Sequence, residues 1–293
     1  LEEFSAANTP LWSIQGLREE MIDVTYDEPR TQYIAEFTID IHEYIDDANK
    51  VTITGGSLDE NGVITVDPDA TECVYVYDCG AGYKLTVNIV VGVPLTEEYF
   101  PNQNFRALLA EKLGTSVGDL LTMKHLSTET LSLWRGNIGD LTGIEYFRNL
   151  RSLNVSNNPL YRLDLSKNTK LEQLDCDFSR TLEELVLPES LVSLDCEYNN
   201  LSELDLRHLI NLERLNCPDN KLTALYLPQS AALKDVKCND NLLTALDVSA
   251  NMGLTSLICY DNNLTELLLP ADSALTKLSC SSNELTALDL TKT

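Results

Sequence analysis

The 293-residue sequence is short of the residues on which most catalytic and nucleic-acid-binding chemistry depends. It has three histidines, His42, His125 and His208, far apart along the chain, and no glycine-rich phosphate loop. The commonest general bases, metal ligands and nucleotide cradles are therefore missing their parts. Basic residues are scarce: 21 Lys and Arg stand against 46 Asp and Glu, a net charge of −25. Such a surface repels phosphate backbones and anionic lipid, so nucleic acid is not an expected partner. No stretch approaches the ~18 uninterrupted apolar residues of a bilayer span, and no membrane span is expected. Apolar residues nevertheless make up 43% of the chain, ample for a core.

What the sequence does have is a repeat. Matching segments begin at Leu150, Leu171, Leu191, Leu212, Leu233, Leu254 and Leu275, at intervals of 21, 20, 21, 21, 21 and 21 residues. The segment from Leu212 reads L-x-x-L-x-C-x-x-N-x-L-x-x-L-x-L, followed by five variable residues. Leu212, Leu215, Cys217, Leu222, Leu225 and Leu227 must all leave water, and one 21-residue coil has no surface to receive them. Neighbouring coils must stack, with their L-x-x-L-x-C stretches pairing as a parallel sheet at ~4.8 Å per rung. The recurrent Asn158, Asn199, Asn220, Asn241, Asn262 and Asn283 are expected to satisfy backbone groups where the chain leaves the sheet. The coil from Leu171 is irregular, with Ser179 in place of the asparagine and Leu182 one position late, so a local distortion is expected there.

This motif and period resemble the cysteine-containing leucine-rich repeats of internalin-type bacterial surface proteins, closely over residues 150–293. Asp140 to Asn158 also resembles the first repeat of that family, and Phe100 to Gly114 its helical cap. In the cap, Phe105, Leu108, Leu109 and Leu113 form one stripe, Asn102 is the candidate N-cap and Gly114 the stop. Asp119 is the only carboxylate between Gly114 and Leu126, too few for calcium, and no cofactor or metal is expected. The resemblance implies a secreted or cell-surface protein that recognises other macromolecules without catalysis, with lipid anchoring, if used, through a segment absent from this chain. The final coil has no covering helix in the sequence, which reads either as continuation of a longer protein or as a surface for self-association with another copy.

Before Pro94 the leucine period is replaced by short β-type runs: MIDVTY, QYIAEFTIDI, KVTITG, GVITVDP, CVYVYDC and YKLTVNIVVGV, with GGSLDENG and VDPDA as separators. Five to seven strands in an immunoglobulin-like sandwich are expected. Eighteen acidic and four basic residues in 1–93 make this region strongly anionic, a solvated face on the simplest reading. The expected fold is mainly β with some α: an immunoglobulin-like β-sandwich over 1–94, a helical cap over 95–127, and a leucine-rich-repeat solenoid over 128–293, its atypical first repeat at 128–149 and regular repeats from 150.

Six of the eight cysteines, Cys176, Cys196, Cys217, Cys238, Cys259 and Cys280, share one repeat position. Stacked rungs point them the same way, a poor geometry for disulfides, and Leu133 and Val155 fill the slot in earlier coils, so they are read as packing thiols. Cys73 and Cys79 remain open between a bridge across a turn and two separate thiols.

Binding residues are sought one and two positions after each cysteine slot, where side chains should project outward from a rigid frame. These positions include Trp134, Arg135, Asp177, Phe178, Glu197, Tyr198 and Tyr260, interleaved with Asp175 and Asp195 on the strands. Exposed aromatics beside fixed polar groups suit a protein or glycoprotein partner, host-derived included. Asp175 and Asp195, one rung apart, could couple as glycosidase carboxylates do, but an open sheet offers no walls to exclude water, and no enzyme is expected. The alternative function is a spacer or presentation scaffold without its own ligand.

Overall fold

The computed structural model describes residues 30–34, 38–42, 45, 47–67, 73–80, 83–271 and 274–290. The expected run MIDVTY lies outside them. The chain divides into two compact units, 1–94 with 120–123, and 95–119 with 124–293.

The first unit is a β-sandwich. One sheet has the order β1 (Arg30–Ile34), β7 (Tyr83–Val91), β6 (Cys73–Gly80), β3 (Val51–Thr54); the other runs β2 (Thr38–Asp40), β5 (Val63–Val66), β4 (Gly56–Leu58). Strands 3-6-7 and 2-5-4 correspond to the C-F-G and B-E-D groupings of the immunoglobulin arrangement, with β1 added parallel to β7. Inward residues of both sheets, including Ile64, Val66, Tyr75, Val87 and Ile89, form one core. QYIAEFTIDI, a single run in the sequence, divides between the two sheets as β1 and β2. GGSLDENG is not merely a separator, because it carries β4. A Cβ on Gly56 would stand 2.6 Å from the Thr65 carbonyl, so glycine there marks a close strand approach rather than a turn. Cys73 and Cys79 lie on the same strand, β6, six residues apart, which at ~3.3 Å per residue separates them by ~20 Å and excludes a bridge between them. A short ribbon, β8 (Val93–Pro94) with β9 (Leu120–Leu121), completes this unit; β9 falls within the stretch read from sequence as cap.

The second unit begins with helix α1 (Gln103–Leu113). The Asn102 side chain accepts the Phe105 N–H, and Gly114 closes the helix at φ 67°, donating to the Ala110 and Glu111 carbonyls. Phe105 and Leu109 are buried, and Phe100 meets Phe105 and Tyr146 edge-on at 5.9 and 5.7 Å. Gly143 permits this contact: a Cβ there would fall 2.2 Å from the Phe100 ring. Asp119 accepts from the Thr115 hydroxyl and Ser116 N–H, fixing the turn after the helix.

From β10 (Thr130–Ser132) the chain winds into a solenoid. Its principal sheet is parallel and eight-stranded: β10, β11 (Ser152–Asn154), β13 (Gln173–Asp175), β15 (Ser193–Asp195), β17 (Arg214–Asn216), β19 (Asp235–Lys237), β21 (Ser256–Ile258) and β23 (Lys277–Ser279). Leu153, Leu174, Leu194, Leu215, Val236 and Leu257 point inward from the strand centres, and Cys176, Cys196, Cys217, Cys238 and Cys259 follow in a fully buried column. Burial pushes these thiols up, Cys259 to about 12, so they are inert protonated fillers. Two retain a polar contact, the Cys176 and Cys217 thiols donating to the Asp195 and Lys237 carbonyls of the next coil.

The asparagines tie successive coils together. Asn241 Nδ2 donates to Cys238 O of its own coil at 3.2 Å and Cys217 O of the preceding coil at 3.0 Å, while its Oδ1 accepts the preceding coil's Leu222 N–H at 3.0 Å. Asn220, Asn262 and Asn283 repeat the pattern. The irregular coil breaks it. The buried Ser179 hydroxyl has no partner among the described residues, Arg180 takes φ 57°, and Asn199 Oδ1 one coil later is left without its N–H. Two further buried asparagines, Asn168 and Asn251, seal the variable part of their coils by donating to Ile144 and Phe147, and to Pro228 and Ser230.

Among the described residues the six coils opened by β11 to β21 each have a second strand, also of three residues, and these pair only two by two: β12 (Arg162–Asp164) with β14 (Glu184–Val186), β16 (Glu203–Asp205) with β18 (Ala224–Tyr226), and β20 (Ala245–Asp247) with β22 (Glu266–Leu268). The first member of each pair ends in an aspartate that accepts the N–H two residues on: Ser166 to Asp164, Arg207 to Asp205, Ser249 to Asp247. The second member has proline at that place, Pro188, Pro228 or Pro270, with no N–H to satisfy. Among the described helices none is long and apolar enough to cross a membrane. In the final coil Leu275, Leu278, Cys280, Leu285 and Leu288 are partly exposed, unlike their buried counterparts one coil earlier, and Leu290 is exposed where Leu269 is partly buried.

Candidate functional site

Leaving the principal sheet, the chain bends at one residue per coil. Arg135, Asn157, Phe178, Tyr198, Asp219, Asp240, Asp261 and Ser282, two places after the cysteine slot, all take φ between 48° and 62°. Sequence reasoning treats these as positions that tolerate any side chain. They are in fact left-handed turn positions, natural for Asn and Asp but strained for Arg, Phe and Tyr. The neighbouring position is not uniformly outward either: Ser156, Pro218 and Asn239 are buried, because the strand's period of two stops where the strand does.

The candidates separate into three groups along the resulting ridge. Trp134 and Arg135 stand on the first coil, the guanidinium 4.4 Å over the indole, with Trp134 53% exposed. Two coils further, Phe178 and Tyr198 stack at 4.5 Å with planes 16° apart. Below them Asp175 and Asp195 are register partners on β13 and β15, and Asp177, Asp195 and Glu197 bring carboxylate oxygens within 4.8 Å of one another. Tyr260 lies three coils beyond Tyr198; both line one open depression of about 550 Å³, with Asn216, Asp219, Lys237 and Asp240 between them. The single aromatic row expected from the sequence is thus interrupted.

Amides knit the acids to neighbouring strands. Asn154 Nδ2 donates to Asp175 at 3.2 Å, and Asn216 Nδ2 to Asp195 at 2.9 Å and Glu197 at 3.0 Å. Burial raises the Asp195 pKa, with Glu197 and Asp177 adding repulsion against the lowering effect of Asn216 and the Glu197 N–H. Asp175 is likewise raised by burial. The Asp219 carboxylate raises the Tyr198 phenol, to which it is hydrogen-bonded. Asn216 and Lys237 escaped sequence reasoning, although the strand-end column Asn154, Asp175, Asp195, Asn216, Lys237 at repeat spacing carried the signal. This is an open, polar-aromatic ridge beside the principal sheet.

Fold and ridge define a leucine-rich-repeat solenoid with a cysteine ladder. The chain resembles the functional domain of InlJ from Listeria monocytogenes, which includes a cysteine ladder: identity is 32%, TM-score 0.50, covering 68% of this chain and 49% of that one. It therefore spans about half the length of that structure. Internalin C2 of Listeria monocytogenes is 18% identical, with TM-score 0.44 over 68% of this chain and 91% of that chain. YopM from Yersinia enterocolitica is 25% identical, with TM-score 0.44 over 62% and 43%. No protein-family model and no curated protein matches the sequence.

Proposed function

We propose that the chain is a non-catalytic recognition module of an exported bacterial cell-surface protein, binding a protein or glycoprotein partner, host-derived included, along the ridge beside the principal sheet. One observation carries this reading. Phe178 and Tyr198 are stacked in left-handed backbone that Asn or Asp would occupy with less strain, and Tyr198 remains 41% exposed. Folding alone does not call for aromatics there, whereas a partner gains a preorganised aromatic anchor rimmed by Asp177, Asp195 and Glu197.

The test is a glycan array and a panel of immobilised host cell-surface proteins probed with the whole chain and with Phe178→Asn/Tyr198→Asn, whose new residues suit the turn. Recognition predicts a ligand whose binding falls about tenfold or more in the variant at unchanged Tm. If no ligand is found, or the variant binds it equally, the spacer reading replaces this one.

A further inference from the structure

The second strands mark another surface, independent of the ridge. The residue between the last two aliphatic positions of successive coils runs Asp164, Val186, Asp205, Tyr226, Asp247, Leu268. On this side the chain repeats every two coils, while on the principal sheet it repeats every coil. Proline two residues later frees Val186, Tyr226 and Leu268 from the capping duty of the aspartates, but does not explain why they are apolar. They are 38%, 43% and 43% exposed, in a chain otherwise crowded with acids.

We infer that this column docks an amphipathic, cationic α-helix of a partner. Spacing selects the helix. Each step from one apolar residue to the next crosses one bonded rung of ~4.8 Å and one step with no strand ladder, so it is at least ~9.6 Å. A helix presents the same stripe every seven residues, ~10.5 Å. A strand returns to one face at ~6.7 or ~13.4 Å, and neither fits the step. Charge selects the sign. Glu203, Asp247 and Glu266 carry no ion pair among the described residues. Arg162, on a second strand, and Arg207, just after one, are already engaged: Arg162 by Asp164 and Glu184, Arg207 by Asp205 while its guanidinium lies 4.9 Å over the Tyr226 ring; Lys167 adds a positive charge near Asp164, at the other end of the column from Asp247 and Glu266. Lysines midway between the apolar residues of the incoming helix would meet the acidic coils.

The probe is a synthetic three-heptad peptide with leucine every seventh residue and lysine three and four places after each. It is titrated into the whole chain against an isomer of the same composition with leucine every fifth residue. The heptad peptide is expected to bind at least about tenfold tighter, less so in high salt, and Val186→Ser/Tyr226→Ser/Leu268→Ser is expected to abolish the preference while Phe178→Asn/Tyr198→Asn leaves it intact. Equal binding of the two peptides, or a preference that survives the triple serine variant, overturns the inference. So does a dimer in sedimentation that this variant dissociates, which would assign the column to a second copy. Should the triple variant not fold, Glu203→Gln/Asp247→Asn/Glu266→Gln must weaken the heptad peptide, and unchanged affinity overturns the proposal.

Discussion

The two strand sets of the solenoid are built from the same coils and yet differ. The principal sheet continues unbroken through eight strands, whereas the second strands join only in pairs. On the principal side every rung faces the same demand: a small buried hydrophobe in the cysteine slot and an amide that answers three backbone groups at once. Few residue types meet each demand, a small hydrophobe in the slot and asparagine at the amide, so the sequence repeats with nearly every coil. On the second side the demand is one N–H, which an aspartate can accept or a proline can remove, and the chain alternates between the two solutions. The range of local solutions sets the period.

The contrast can be broken experimentally, most strongly on the principal side. Asn241→Ala strands the Leu222 N–H and leaves the Cys217 and Cys238 carbonyls only the amides of Asn220 and Asn262, and is expected to lose about 2–3 kcal/mol in urea denaturation. Asn199→Ala should lose less, because its Oδ1 has no bond to give up. Next comes the cysteine column: Cys238→Leu should lose about 1–3 kcal/mol by overpacking, and Cys238→Val under about 1.5, since Val155 already occupies this slot. On the second side, Asp247→Val should lose about 1 kcal/mol by orphaning the Ser249 N–H, and Asp247→Val/Ser249→Pro should recover most of it in a double-mutant cycle. Equal losses in single and double variants would end the two-solution account.

The smallest effect concerns pH. Asp195 has its native pKa raised above 3.8, so the folded state favours the protonated acid. Its contribution to stability is complete below 3.8 and is lost as pH rises through the native value. Asp195→Asn should therefore be more stable than the parent at pH 7, by a few tenths of a kcal/mol after solvent screening, and indistinguishable from it near ~pH 3. A variant less stable than the parent at pH 7 would contradict the burial argument.

The solenoid, its thiol column and its asparagine ladder were legible because burial and backbone satisfaction recur at fixed offsets, and Asn102 and Gly114 bracket their helix for the same local reasons. The distortion at Ser179 was legible as a missing amide. Its effect on Asn199 was not, since that bond depends on a residue in another coil. The left-handed turns were hidden by Phe178 and Tyr198, which propensity would never place there. β4 was concealed by Gly56, which serves strand contact, and the two-coil alternation by the stronger 21-residue signal laid over it.

The asparagine ladder has a direction. Every amide from Asn220 to Asn283 bonds its own coil and the one before it, and none of these amides reaches forward. Each finished turn is therefore a template awaiting its successor, and a polypeptide emerging amino-terminus first can lock turn after turn onto what has already assembled. At every stage of such synthesis only the newest turn still lacks the bonds its successor will bring.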